Sequence, residues 1–216
     1  MGVEMMIPNV HGYSTQQGEV IGTYITPFGQ SVSVEQSSLR LIVDKGVVGD
    51  SHFGDRLSDT REDVLKAIGV GKEVSMTNVR QLSIVSRESM EQVAKNMKFP
   101  LNYNYVDPTL VAANLEIQGI VVDNLPAGTL LCFASFKNGA VVWHKAVIAI
   151  WAQNAPCQLP HDNIVKFLSA KSNVPMGWKP ASNFRQAAKD LRGVVGFVYT
   201  SGKIKHGDTC VAYIPE

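Results

Sequence analysis

The chain has 216 residues and a mass of 23.5 kDa, with 45% hydrophobic and 18% charged residues, a composition that excludes global disorder and suits a single domain with a real core. Twenty Lys and Arg against nineteen Asp and Glu leave a formal charge of +1, so no positive field exists to grip a run of phosphates or an anionic membrane, and neither nucleic acid nor membrane is an expected partner. The longest apolar run, Ala146 to Ala152, is far shorter than the ~20 residues of a spanning helix, and the N-terminus has no basic stretch followed by an apolar one. Cys132, Cys157 and Cys210 are odd in number and widely spaced, which fits reduced thiols in a cytoplasmic protein rather than a disulfide framework or a metal knuckle.

In chain order, Gly18–Thr26 and Leu41–Val43 read as strands cut by Pro27 and by Asp44-Lys45-Gly46. From Ser51 to Asn78 the sequence turns polar and Gly-punctuated, a long loop with a short helix expected at Arg61–Ile68. Gln81–Val85 alternates as a strand, and Ser86 stands as N-cap of a helix whose Met90, Val93, Ala94 and Met97 recur at helical spacing. Beyond Pro100, strands are expected at Leu115–Val122, Thr129–Phe136, Ala140–Trp143 and Ala146–Trp151, with Lys137-Asn138-Gly139 as the turn between the second and third, where Asn-Gly signals a hairpin. Helices follow near 163–170 and 183–191, then closing strands at Gly193–Tyr199 and Asp208–Ile214. Many short strands with few helices argue for a mostly β fold, a barrel or curved and partly closed sheet with a few peripheral helices. No linker or repeat divides the chain.

Cys157 is the residue most informative about chemistry. It follows Pro156 in a polar loop directly after an apolar strand, whereas Cys132 and Cys210 sit inside apolar strands as small hydrophobes. Local sequence leaves open a packed loop cysteine and a reactive one. In Gly49-Asp50-Ser51-His52 an Asp and a His two positions apart face one side if extended. They suit either an oriented imidazole and metal ligand or a turn cap with a hydrogen-bonded His. Zinc would need further ligands at spacings that His11, His144, His161 and His206 do not supply. Arg80 and Arg192 precede strands; each suits an anion clamp or an ordinary surface or end-capping residue. No phosphate-cradling Gly-rich loop, nucleophile elbow or dinucleotide fingerprint is present.

Taken in order, 49–54 (GDSHFG), 80–86 (RQLSIVS), 113–119 (ANLEIQG), 125–129 (LPAGT), 154–157 (NAPC), 191–193 (LRG) and 202–208 (GKIKHGD) resemble the MOSC domain, found at the C-terminus of molybdenum-cofactor sulfurases and as stand-alone bacterial proteins. The likeness runs from about Val20 to Ile214, so residues 1–216 are taken as a single MOSC-like domain. It implies a β-barrel and a cysteine, here Cys157, that ligates the molybdenum of molybdopterin or carries sulfur as a persulfide; a soft thiolate suits both. Arg80, Asn114 and Arg192 fall in motif positions that would hold the pterin or its phosphate, although Asn114 and Arg192 could equally stabilise the barrel. Asp50 and His52 would line the same pocket. The resemblance implies either a molybdenum-cofactor oxidoreductase reducing a small N-hydroxylated substrate with electrons from a donor protein, or a non-catalytic sulfur carrier or cofactor-delivery module supplied by a sulfur-donor protein. Nothing in the sequence resembles a pyridoxal-phosphate domain, so mobilising sulfur from free cysteine is expected to fall to a partner.

Overall fold

In a computed structural model, residues 7–54, 56–57, 75–76, 78–138 and 140–216 are described. The strands are β1 (Tyr13–Ile25), β2 (Val34–Glu35), β3 (Ser38–Ile42), β4 (Gly46–Val47), β5 (Arg56–Leu57), β6 (Ser75–Met76), β7 (Leu82–Ser86), β8 (Leu115–Gln118), β9 (Leu130–Lys137), β10 (Ala140–Gln153), β11 (Val194–Thr200), β12 (Gly202–Lys205) and β13 (Thr209–Pro215). The helices are α1 (Arg87–Asn96), α2 (Gln158–Ser169) and α3 (Phe184–Ala187). Strands β13, β9, β10, β11, β7, β8 and β1 follow one another around the sheet, and β1 pairs again with β13, closing a seven-stranded barrel. Closure depends on β1, whose first half pairs with β13 from Tyr13↔Pro215 to Glu19↔Thr209 and whose second half pairs with β8 across a bulge at Val20/Gly22. A bulge bends a strand and sharpens its twist, which lets one strand serve two neighbours.

Every barrel pair is antiparallel except β7–β8, which is parallel. A parallel pair needs a long crossover, and α1 with the 3₁₀ turn Pro108–Val111 supplies it. Alternation along β7 sorts its two faces. Leu82 and Ile84 join the barrel interior with Leu131, Phe133, Ile148 and Ile117, while Val85 packs outward against the helices with Met90, Met97, Ile164 and Phe184. The helical spacing read for α1 holds: Met90, Val93, Ala94 and Met97 are all buried.

Several boundaries differ from expectation. The two strands expected at 140–143 and 146–151 are one strand, β10, which accommodates the curvature by a register shift between Trp143 and Val147. Strand β8 stops at Gln118, because Gly119 takes a positive φ of 89°. Helix α2 begins at Gln158, five positions before the expected start. Pro160 in its first turn is harmless there, since those N–H groups have no intrahelical partner. The helix expected over 183–191 is only α3, cut short by left-handed Asp190. Residues 202–205, for which the sequence predicts no element, form β12 on β3. Lys137 pairs with Ala140, as the Asn-Gly hairpin requires. The helix expected at Arg61–Ile68 lies outside the described residues. His144 lies in β10, with its Nδ1 3.1 Å from the Lys203 carbonyl and its Nε2 3.4 Å from Asp208.

Beneath α1 lies a buried charge cluster. Tyr24 donates to Glu116 Oε2 at 3.1 Å, Arg87 pairs with Oε1 at 2.9 Å, and the Arg87 guanidinium stacks 4.0 Å from the centre of the Tyr105 ring. Burial pushes the Glu116 carboxyl up, outweighing Arg87 and the Tyr24 hydroxyl, which pull it down. Replacing Arg87→Met leaves that carboxylate without its cation and should destabilise the fold by about 2–3 kcal/mol at pH 7, read from urea unfolding. Because the folded carboxyl binds its proton more tightly than the unfolded one, part of the loss should return as pH falls through the raised range. Unchanged stability at pH 7 would show that the pair does not hold α1.

Candidate functional site

Cys157 stands where β10 hands over to α2. It is the N-cap residue of that helix, in extended conformation, with an exposed thiol that makes no capping bond. The helix's first N–H groups therefore open toward the same place as the sulfur. Burial pushes the thiols of Cys132 and Cys210 upward, and both lie within barrel strands. The exposed thiol of Cys157 is thus the accessible one of the three. The loop before it is tied down by Asn154, whose backbone N–H donates to Gly193 O at 2.9 Å, whose Nδ2 donates to Ser83 Oγ at 3.0 Å, and whose Oδ1 lies 3.5 Å from Arg80 Nη2.

Beside this loop is a cavity of about 210 Å³, lined by 153–156 and by Lys189, Asp190, Arg192 and Gly193. Arg192 is not a surface residue: it is only 6% exposed. Its Nη2 donates to the Val111 carbonyl, yet Nε and Nη1 are buried with no hydrogen-bond partner among the described residues. Burial pulls its pKa down to about 10, opposed by Cys157 and Asp123 and assisted by Arg80. The guanidinium therefore remains a cation at neutral pH, close enough to feel Cys157. Buried donors left unpaired are rare in folded proteins, because each forfeits its hydration without replacement. Gly193 can be nothing but glycine, since its φ is +82° and a Cβ would sit 2.0 Å from the Ile84 carbonyl. Its N–H donates to Asp123, a carboxylate 5% exposed that also accepts from Ser89 Oγ at 2.5 Å.

The other expected site residues form a hydrogen-bonded circuit with Arg80. Asn114 accepts from the Ser83 N–H at 2.9 Å and donates to Asp50 Oδ2 at 2.6 Å. Asp50 also accepts from the backbone N–H of Thr26 at 2.7 Å and of His52 at 2.9 Å, and its Oδ1 lies 3.0 Å from His52 Nδ1. Asn78 donates to the His52 carbonyl at 2.8 Å and accepts from the Arg80 N–H at 3.0 Å. Through Asn154 and Ser83 the path returns to Asn114. Burial would raise the Asp50 carboxyl, but the bonds from His52, Thr26 and Asn114 win and hold it below its ordinary 3.8. Asp50 and Asn114 are buried within this framework, while the His52 side chain is 57% exposed. No cluster of three or more His, Cys, Asp or Glu able to hold a metal occurs among the described residues.

Sequence reasoning did not single out Asn154, Asp123, Ser83 or Lys189. Asp123 left a signal, a lone carboxylate inside the apolar stretch Ile120–Leu125. Ser83 and Lys189 left none, because their roles depend on which strand lies beside them.

The closed seven-stranded barrel defines the class of fold, and the family follows from comparison. The family model for the MOSC domain matches residues 50–211, and the chain belongs to the MOSC domain family. No curated protein matches the chain. The fold is similar to that of the YUAD protein from Bacillus subtilis, at 24% identity and a TM-score of 0.76 over 94% of this chain and 100% of that one. It is also similar to that of YiiM from Geobacillus stearothermophilus, at 9% identity and a TM-score of 0.51 over 92% and 75%. At these identities the likeness is one of fold. No helix among the described residues is long and apolar enough to cross a membrane.

Asp50→Asn should destabilise the protein by about 1–3 kcal/mol at pH 7, since it turns an acceptor of several bonds into a group that competes to donate. A carboxylate whose folded pKa is depressed stabilises above its unfolded pKa and loses that contribution as pH falls through the folded one. The gap between wild type and variant should therefore narrow below about pH 4. Urea unfolding at pH 7 and at pH 3 checks this, and a gap that widens with acid would refute the assignment.

Proposed function

We propose that the protein holds molybdenum cofactor on this flank of the barrel, with Cys157 as the metal's protein ligand and Arg192, Arg80 and Lys189 facing its anionic pterin-phosphate end. One observation carries the reading: the Nε and Nη1 groups of Arg192 are buried, cationic and without a hydrogen-bond partner among the described residues, beside a cavity lined by the 153–156 loop that leads to Cys157. A planar guanidinium with two free donors suits a phosphate or carboxylate, and its buried setting makes such an anion stabilising. An exposed thiol at a helix N-terminus supplies the soft ligand that a molybdenum centre takes. Asp50, Asn114, Asn78 and Asn154 act on Arg80 as positioning residues, fixing its backbone and its guanidinium.

When bound, the group supplies a two-electron redox centre. Reducing a small N-hydroxylated compound to the amine consumes two electrons and two protons and releases water, so the electrons must come from a separate donor protein. The chain's contribution is to seat the centre, neutralise its phosphate and leave the sulfur side open to a small substrate. The alternative, a persulfide carrier, needs only the exposed thiol. It gives no reason for a buried cation with free donors, and for that reason it stands second.

Wild type, Cys157→Ser and Arg192→Lys, each produced in a host that makes the cofactor, should separate the two. Wild type is expected to carry molybdenum and to release an oxidised fluorescent pterin, Cys157→Ser to lose the metal, and Arg192→Lys to retain about a tenth or less of the pterin. Metal-free wild type that instead accumulates cyanide-labile sulfur on Cys157 would overturn the cofactor reading in favour of the carrier.

A further inference from the structure

A second cavity, of about 180 Å³, lies away from Cys157, between the 99–110 stretch and the C-terminal end of α2. Its wall is aromatic: Phe99, Tyr103, Tyr105 and Phe167, with Asp107 as its charged member. We propose that this cavity is a binding site for a small organic ammonium ion, an inference that goes beyond the cofactor reading and does not rest on it.

The rings are held in place. Tyr103 donates to Asn173 Oδ1 at 2.8 Å, Phe99 packs edge-on against Trp178 with ring centres 5.9 Å apart, and Phe167 is fixed on α2. Two of the rings already hold a cation: the Arg87 guanidinium lies 4.0 Å from the Tyr105 centroid, and Lys171 Nζ lies 4.3 Å from that of Phe167. The attraction of a ring quadrupole for positive charge is therefore at work at this wall. Lys171 itself is exposed and is not part of the lining.

Charge decides the sign of the ligand. Arg87 is paired with Glu116 at 2.9 Å. Among the described residues Asp107 has no such cation and its Oδ2 no hydrogen-bond partner, while its Oδ1 accepts from the N–H of Thr109 at 2.9 Å and from Thr109 Oγ1 at 2.7 Å. An aromatic box with one carboxylate oxygen uncommitted is complementary to a cation with apolar substituents, and it repels an anion. The volume is below the ~300–1,000 Å³ usual for drug-sized ligands, which limits the occupant to a headgroup such as a trimethylammonium or a short alkylamine.

The test compares choline with its neutral isostere 3,3-dimethyl-1-butanol by calorimetric titration of the full chain. Choline is expected to saturate one site and to bind about tenfold more tightly than the isostere, because shape is matched and only charge differs. Asp107→Asn retains an N-cap for the 3₁₀ turn, since Asn caps as well as Asp, and should weaken choline several-fold while leaving the isostere unchanged. Phe167→Leu keeps bulk but removes a ring and should shrink the preference. Equal binding of the two isosteres, no saturable binding of choline, or full affinity in Asp107→Asn overturns the proposal. Cys157→Ser should bind choline like wild type, so loss of cofactor and loss of this site are distinguishable.

Discussion

The side chain of Asn114 holds together the parts on which the candidate site is built. It stands just before β8, in the parallel pair with β7, and its amide spans three segments: the Ser83 N–H in β7, the Tyr24 carbonyl in β1, and the Asp50 carboxylate in the loop after β4. A parallel pair receives its second strand from a distant part of the chain, so nothing local fixes where that strand starts. A buried amide that must satisfy both its donor and its acceptor sets that position, because a slip of one residue would leave polar groups dry and unpaired. The bulged β1 and the helical crossover pack around this point.

From this anchor the site follows as a matter of polar accounting. Asp50 and Asn114 bond each other directly, and Asn78 and Asn154 join them through His52, Arg80 and Ser83. Arg192 does not complete its own hydrogen bonds among the described residues. The contrast separates framework from function: a buried network whose donors and acceptors are matched holds shape, whereas a buried cation with two donors unmatched is suited to something the protein does not itself contain. The unmatched group lies beside the loop that precedes Cys157 and feels that sulfur, so the cavity has a positively charged wall. The MOSC family assignment makes these two features intelligible together.

Local chemistry was legible where it depended on neighbours in sequence. The apolar spacing of α1 marks its buried stripe and Asn138-Gly139 marks the β9–β10 hairpin, whereas the Pro-Cys step after an apolar strand left a packed and a reactive thiol both open, and the fold exposes it. The motifs in order were enough to recognise the family and its barrel. What depended on distant neighbours was not legible. Arg192 is buried with its Nη2 on the Val111 carbonyl, which lies 81 positions away in the chain. The union of two expected strands into β10 depends on a bulge that only barrel curvature demands.

The sequence by itself determined a β-barrel of the MOSC kind, because periodicity, turn chemistry and motif order are carried by adjacent residues. Only the tertiary structure decided which arginine is buried with free donors, which carboxylates are committed to the framework, and that four aromatic rings and Asp107 meet in a second cavity. Those outcomes are set by long-range packing and by competition for hydrogen bonds, which no stretch of chain contains until the barrel has closed.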